Sequence, residues 1–175
     1  MKKILILNGS PKKNGNTAKL INAFREGAEG AGHEVREFYL QGMNIHGCLD
    51  CQGCRNAKEE ADNPCVQKDD MAEIYGAFPS SDVLVFASPV YFWTIDGQLK
   101  TAIDRLYAYV MWGRAGKKET ALLLTAGGDN ERQYAKILDW YRGFERYMNW
   151  KSLGNVLGAE KVREAKELGA SIESI

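Results

Sequence analysis

Four cysteines carry the most pointed chemical signal in this 175-residue chain, which has no others. Cys48, Cys51 and Cys54 recur every third residue, and Cys65 follows after ten intervening positions. Cysteines used for packing would be scattered among the strands, and a disulfide is disfavoured in a reducing compartment. Three thiolates at that interval can wrap the corners of a cubane, with a fourth ligand arriving later in the chain. Zinc draws more often on two separated C-x2-C knuckles, which this pattern is not. On spacing alone an iron–sulfur cluster, a zinc ion and metal-free thiols all stay open.

A second group of residues is suited to an anion. The run Asn8-Gly9-Ser10-Pro11-Lys12-Lys13-Asn14-Gly15-Asn16-Thr17 offers two glycines, two lysines and short polar side chains at Ser10, Asn14, Asn16 and Thr17. It follows Ile4–Leu7, an apolar run that reads as a strand buried on both faces. Leu20, Ile21, Phe24 and Ala28 come next at helical spacing, with Asn16 or Thr17 as N-cap. Such a strand-to-helix turn presents a helix N-terminus to a phosphate. Neither G-x-G-x-x-G nor a Walker run ending in G-K-[ST] occurs in it, so those two nucleotide fingerprints are excluded.

Two further turns fit the same ligand. Ser88-Pro89-Val90-Tyr91-Phe92-Trp93 sets three aromatics in succession after an apolar run, where a flat heteroaromatic ring would cover them. Gly127-Gly128-Asp129-Asn130 lets backbone N–H groups approach the edge of that ring. Together the three turns describe a site for a mononucleotide with a large planar ring. No general acid or base is assigned. His33 reads as solvated at the start of an edge strand, and His46 as a surface residue near the cysteines. Asp69-Asp70 reads as a helix cap, and Asp104-Arg105 as a structural pair or subunit contact.

The elements that must position these turns alternate. Strands are predicted at Ile4–Leu7, Val35–Leu40, Val83–Ala87, Ala121–Leu124 and Leu153–Leu157, with a helical pattern after each. An irregular stretch at about 41–68 holds the cysteines, and the whole of 1–175 reads as one domain. The pattern is that of an α/β, doubly wound parallel sheet, whose ligands bind outside the C-terminal strand ends. Lys plus Arg and Asp plus Glu both total 23, which argues against a nucleic-acid or polybasic membrane surface. No apolar run nears the ~18 residues of a membrane span, and Ile4–Leu7 is too short for a signal sequence. The chain is therefore read as cytoplasmic. The long helix from about Glu131 to Trp150 carries a second apolar stripe, Trp140, Phe144 and Tyr147, which is read as the interface of a homodimer.

The residues also carry a family resemblance. Asn8-Gly9-Ser10-Pro11 running to Gly15-Asn16-Thr17 resembles the phosphate loop of the NAD(P)H-dependent FMN reductase and iron-sulfur flavoprotein group, within the flavodoxin-like superfamily. Lys68-Asp69-Asp70-Met71, Ser88-Pro89-Val90-Tyr91, Gly97-x-Leu99-Lys100, Ile103-Asp104-Arg105 and Gly127-Gly128-Asp129-Asn130 extend the match from about residue 3 to 157. The resemblance implies a flavodoxin-like five-stranded parallel sheet in the order 2-1-3-4-5. It implies FMN, with Ser10, Lys12, Asn14, Asn16 and Thr17 around the phosphate. Pro89, Val90, Tyr91, Phe92 and Trp93, and Gly127, Gly128, Asp129 and Asn130, would flank the ring. It further implies a [4Fe-4S] cluster on Cys48, Cys51, Cys54 and Cys65, although Arg55–Pro64 is longer than the gap usual in that group. A homodimer fits the resemblance as well. Three functional classes follow. The first is NAD(P)H-driven reduction of a small acceptor (quinone, nitro or azo compound, or flavin) through FMN. The second is electron carriage from a ferredoxin-like donor through the cluster. The third, a non-redox phosphate binder, is disfavoured by the aromatic run.

Overall fold

In the computed structural model, which describes residues 1–57, 63–110, 113–128, 130 and 132–174, the Ile4–Leu7 run lies within strand β1 (Lys3–Asn8). On one side β1 pairs in parallel with β2 (Glu34–Tyr39), and on the other with β3 (Val83–Tyr91). Beyond β3, after the two-residue strand β4 (Thr94–Ile95), lie β5 (Glu119–Thr125) and β6 (Lys151–Leu157), both parallel. The long strands run β2-β1-β3-β5-β6, which is the expected order of five. β4 folds back antiparallel onto the end of β3, with Val90 opposite Ile95 and Tyr91 opposite Thr94. This hairpin carries β3 past Ser88-Pro89, where the sequence predicts its end.

Alternation along the buried strands sends each side chain to one of two helical layers. Ile4 and Ile6 pack with helix α1 (Asn16–Gly30) and with Ala165 of the last helix. Leu5 and Leu7 face the layer built by α2 (Met71–Ala77), α3 (Gly97–Arg105), α4 (Tyr107–Val110) and α5 (Arg132–Met148). The last helix, α6 (Val162–Ala170), crosses α1 at backbone contact. A Cβ on Gly27 would overlap the Lys166 carbonyl, and one on Gly169 the Phe24 carbonyl, so glycine at both positions sets the approach.

Three expectations change. His33 is not solvated but buried. Its Nδ1 accepts from the Lys2 N–H at 3.1 Å, and its Nε2–H donates to the Ile172 carbonyl at 2.8 Å. The imidazole thus ties the start of β1 to the C-terminal segment. Residue 15 rather than Asn16 or Thr17 is the N-cap of α1, and no side-chain hydrogen bond caps it. The surplus aromatic surface of α5 is largely consumed inside the chain. Trp140 stacks on Phe144 at 5.9 Å, and Phe144 meets Phe86 and Trp150 edge-on at 5.9 and 5.7 Å. Of that stripe Tyr147 is well exposed, and Trp140 and Phe144 are half-buried. Among the described residues, no helix is long and apolar enough to cross a membrane.

Candidate functional site

The three predicted ligand turns leave adjacent strands at their C-terminal ends, and direct bonds tie them together. Where β1 ends, the Gly9 N–H donates to the Ala87 carbonyl of β3 at 2.9 Å. The Asn8 side chain accepts from the Ser10 N–H at 3.0 Å and donates to Glu37 at 2.8 Å. The Ser10 hydroxyl accepts from the Lys12 N–H and donates to the Lys12 carbonyl, both at 3.2 Å. Lys12, Asn14 and Asn16 are exposed, whereas Ser10 and Thr17 are buried beneath them. Thr17 Oγ1 lies 2.8 Å from Thr125 Oγ1, joining the head of α1 to the end of β5.

The first N–H groups of a helix have no partners within it. At α1 no side chain caps them and no acidic residue sits in the first turn. The helix therefore opens as a cradle of free donors facing a lysine-bearing loop, which suits a phosphate.

The aromatic stretch is a hairpin tip, not a loose loop. Phe92 and Trp93 form a two-residue turn, with φ of 49° and 62°. Both central residues at positive φ make the turn type that favours Asn-Gly, and two bulky aromatics there store strain. Tyr91, Phe92 and Trp93 are 46%, 92% and 57% exposed, while Pro89 and Val90 are half-buried. Beside them Gly127 and Gly128 are bare, and Asn130 Oδ1 accepts from the Arg132 N–H at 3.0 Å. Asp129, the remaining predicted ring contact, lies outside the described residues.

Sequence reasoning missed Asp96. It is buried, caps α3 by accepting from the Leu99 N–H at 2.8 Å, and accepts from the Ser88 hydroxyl at 2.8 Å. The Asp96 N–H donates back to Ser88 Oγ at 2.9 Å. Burial pushes its carboxyl above the usual range, against the pull of those hydrogen bonds. An acidic residue three positions before the first core leucine of a helix is a readable N-cap signal.

All four cysteines are free thiols, and all four line one cavity of about 240 Å³ together with Arg105 and Tyr107. Cys48 and Cys51 are exposed, Cys54 and Cys65 half-buried. Among the described residues, no three His, Cys, Asp or Glu side chains converge on a single ion. Four thiols around one cavity are a donor set that can hold an iron–sulfur cluster. Asp104 and Arg105 do not pair with each other. Asp104 meets Lys100 on the surface at 2.7 Å, whereas Arg105 is buried against Asp69 at 2.6 Å. Burial raises the Asp69 carboxyl, but hydrogen bonds and charge from Arg105 outweigh it, leaving the group below its usual value. The N-cap of α2 is Asp70 rather than Asp69, and its side chain caps nothing, while Asp69 Oδ1 accepts from the Met71 N–H at 3.2 Å.

A family model described as NADPH-dependent FMN reductase matches residues 2–154. The chain belongs to this family. Its relatives include an iron-sulfur flavoprotein of Archaeoglobus fulgidus, 40% identical over 109 residues, which are 62% of this chain and 47% of that protein. An iron-sulfur flavoprotein of Methanosarcina thermophila is 32% identical over 142 residues, covering 79% and 72% of the two chains. The match thus spans about half the length of the first relative. An NAD(P)H:quinone oxidoreductase from Methanothermobacter marburgensis superposes with a TM-score of 0.78 at 19% identity, over 99% of this chain and 97% of that one. An azoreductase from Bacillus anthracis superposes with a TM-score of 0.69 at 20% identity, over 98% and 100%. At these identities the likeness is one of fold, and this FMN reductase family member has the flavodoxin-like one.

Proposed function

We propose that the chain is an FMN-dependent oxidoreductase of a single domain, which takes electrons from NAD(P)H and passes them to a small acceptor such as a quinone, a nitro or azo compound, or a flavin. The observation that carries this reading is the uncapped head of α1, tied by Thr17 and Thr125 to the turn after β5. Ser10, Lys12, Asn14, Asn16 and Thr17 would hold the phosphate through hydroxyl, amide and ammonium donors and the free N–H groups of the helix. Pro89, Val90 and Tyr91 would wall the ring, with Phe92 and Trp93 reaching over it from the hairpin tip. Gly127, Gly128 and Asn130 would leave the ring edge open to backbone donors, and Asp129, which lies between them in sequence, is proposed with them. Bound FMN would supply the hydride- and electron-accepting ring; the chain's part is binding, orientation and exclusion of water, with no proton-transfer residue assigned.

Titration with FMN and with riboflavin tests the site, because only the phosphate distinguishes them. FMN should bind far more tightly, and equal affinities would overturn the assignment. Anaerobic addition of NADH or NADPH then tests the donor, with bleaching of the flavin within seconds as the expected result.

A second reading is favoured by the cavity that all four cysteines share. In it Cys48, Cys51, Cys54 and Cys65 would hold a [4Fe-4S] cluster, which would supply electron transfer between a ferredoxin-like donor and FMN. Iron and sulfide analysis after anaerobic reconstitution tests it, with loss on Cys51→Ser. In both readings we take the protein to be a cytoplasmic homodimer.

A further inference from the structure

Arg105 bonds both ends of the cysteine segment at once. Its side chain is 1% exposed, at the end of α3. Nη1 donates to the His46 carbonyl at 2.7 Å, two residues before Cys48. Nη1 and Nη2 grip Asp69 at 2.6 and 3.0 Å, four residues beyond Cys65. Nη2 also reaches Cys65 Sγ at 3.5 Å, within the range of a bond to sulfur. Around this fork the same two ends are stitched by weaker thread. The His46 N–H donates to Asp69 at 3.0 Å, the Asn44 N–H to Asp70 at 2.7 Å, and the Gln67 amide to the Gly47 carbonyl at 3.1 Å.

Arg105 is the member of this set that belongs to the packed core. Its carbonyl accepts from the buried Tyr75 hydroxyl at 2.7 Å, so its backbone is held from below. Its Nε–H is buried without an acceptor among the described residues. An arginine buried this deeply, with its fork divided among a carboxylate, a carbonyl and a sulfur, is poorly replaced by lysine, which is a point charge with no fixed planar donors.

We propose that Arg105 is a positioning residue that closes the cysteine segment into a ligand loop and fixes Cys65 against the cavity as its anchored thiol. The proposal rests on the reading of that cavity as a cluster site. Bringing four thiols together costs loop entropy, and a clasp made before binding removes part of that cost. Donors bonded to a metal-ligating group orient it, and their loss typically weakens metal binding about 10–100-fold. Cys48, Cys51 and Cys54 ride on the segment that the clasp closes, while Cys65 is held from the core.

The test uses the whole chain with FMN bound. Arg105→Lys keeps a cation beside Asp69 but loses the fork, and Arg105→Met paired with Asp69→Asn removes both charges together. Three quantities are measured: FMN affinity, cobalt(II) affinity from the thiolate charge-transfer absorption, and deuterium exchange of peptides covering 44–48 and 63–71 in the metal-free protein. Both variants should bind FMN as the wild type does, bind cobalt about 10–100-fold more weakly, and exchange faster in those peptides. Unchanged exchange overturns the clasp, as does wild-type cobalt affinity in both variants. Loss of FMN binding in both would also overturn it, since Arg105 would then be a general framework residue. If the wild type itself takes up neither iron nor cobalt, the cluster reading falls. The clasp is then upheld by faster exchange in the Lys variant and overturned by its absence.

Discussion

The Asp96 carboxylate occupies the space directly over Gly9, so that a Cβ on Gly9 would overlap both of its oxygens. The phosphate loop after β1 and the cap of α3 are therefore built as one piece. Gly9→Ala must displace a carboxylate held by Ser88 and the Leu99 N–H, or shift the loop itself. We expect the substitution to destabilise the chain by about 1–3 kcal/mol, the usual range for overpacking. FMN affinity should fall as well, since the displaced loop is the phosphate cradle. Chemical denaturation and flavin titration of the variant measure both, and wild-type values in each would refute the coupling.

The hairpin tip predicts an opposition between stability and binding. Phe92 and Trp93 sit at φ of 49° and 62°, a region costing roughly 1–2 kcal/mol for a residue with a Cβ. Phe92→Asn with Trp93→Gly supplies the pair that such a turn prefers. The double variant should unfold at higher temperature than the wild type, yet bind FMN more weakly or show an altered flavin spectrum. A variant that gains stability with an unchanged flavin site would mean that the aromatics serve something other than the ring.

Much of this architecture is legible along the chain, and the reasons are local. Ile4–Leu7, Val83–Ala87 and Ala121–Leu124 are continuous apolar runs because each strand is covered on both faces. The phosphate loop is legible because a helix head and its preceding turn are contiguous. What escaped depends on distant partners. The partners of His33 are Lys2 and Ile172, and those of Arg105 are Asp69, His46 and Cys65, so neither neighbourhood signals burial. The strand end at Ser88-Pro89 was misplaced because β4 pairs only two residues, too few to leave a period. The apolar stripe of α5 leaves its partners open, because sequence periodicity cannot distinguish Phe86 and Trp150 from a second chain.

Lys118 makes stability depend on pH in alkaline solution. Its ammonium is buried over the Phe78 ring at 4.7 Å and donates to the Ser81 carbonyl at 2.6 Å. Burial pulls its pKa down to about 8, against the opposing charge of Asp82, from an ordinary value of 10.5. Below about pH 8 the group is protonated in both folded and unfolded chains, and the folded state carries the full cost of the buried charge. Between about 8 and 10.5 the folded state sheds the proton first, so this cost is relieved as pH rises. Lys118→Met has no such relief. The wild type should therefore gain on the variant by on the order of 2 kcal/mol between pH 7 and pH 10. Urea unfolding of both proteins at the two pH values checks this, and a constant difference would refute it.

The contact between Thr17 and Thr125 separates phosphate binding from framework. At 2.8 Å one hydroxyl donates to the other, and Thr17 is the one at the head of α1. If Thr125 donates, the Thr17 proton remains free for an anion, and each threonine then has a distinct role. Thr17→Val should remove a bond to a charged group, worth about 1.5–3 kcal/mol, which is roughly 10–100-fold in FMN affinity. Thr125→Val should cost less, because Thr17 keeps its own donor. Riboflavin binding, lacking the phosphate, should be nearly equal in wild type and both variants. Titrations of the three proteins with the two flavins decide it. A Thr17→Val chain that loses riboflavin and FMN in the same proportion would show that Thr17 supports the fold of the site and does not touch the phosphate.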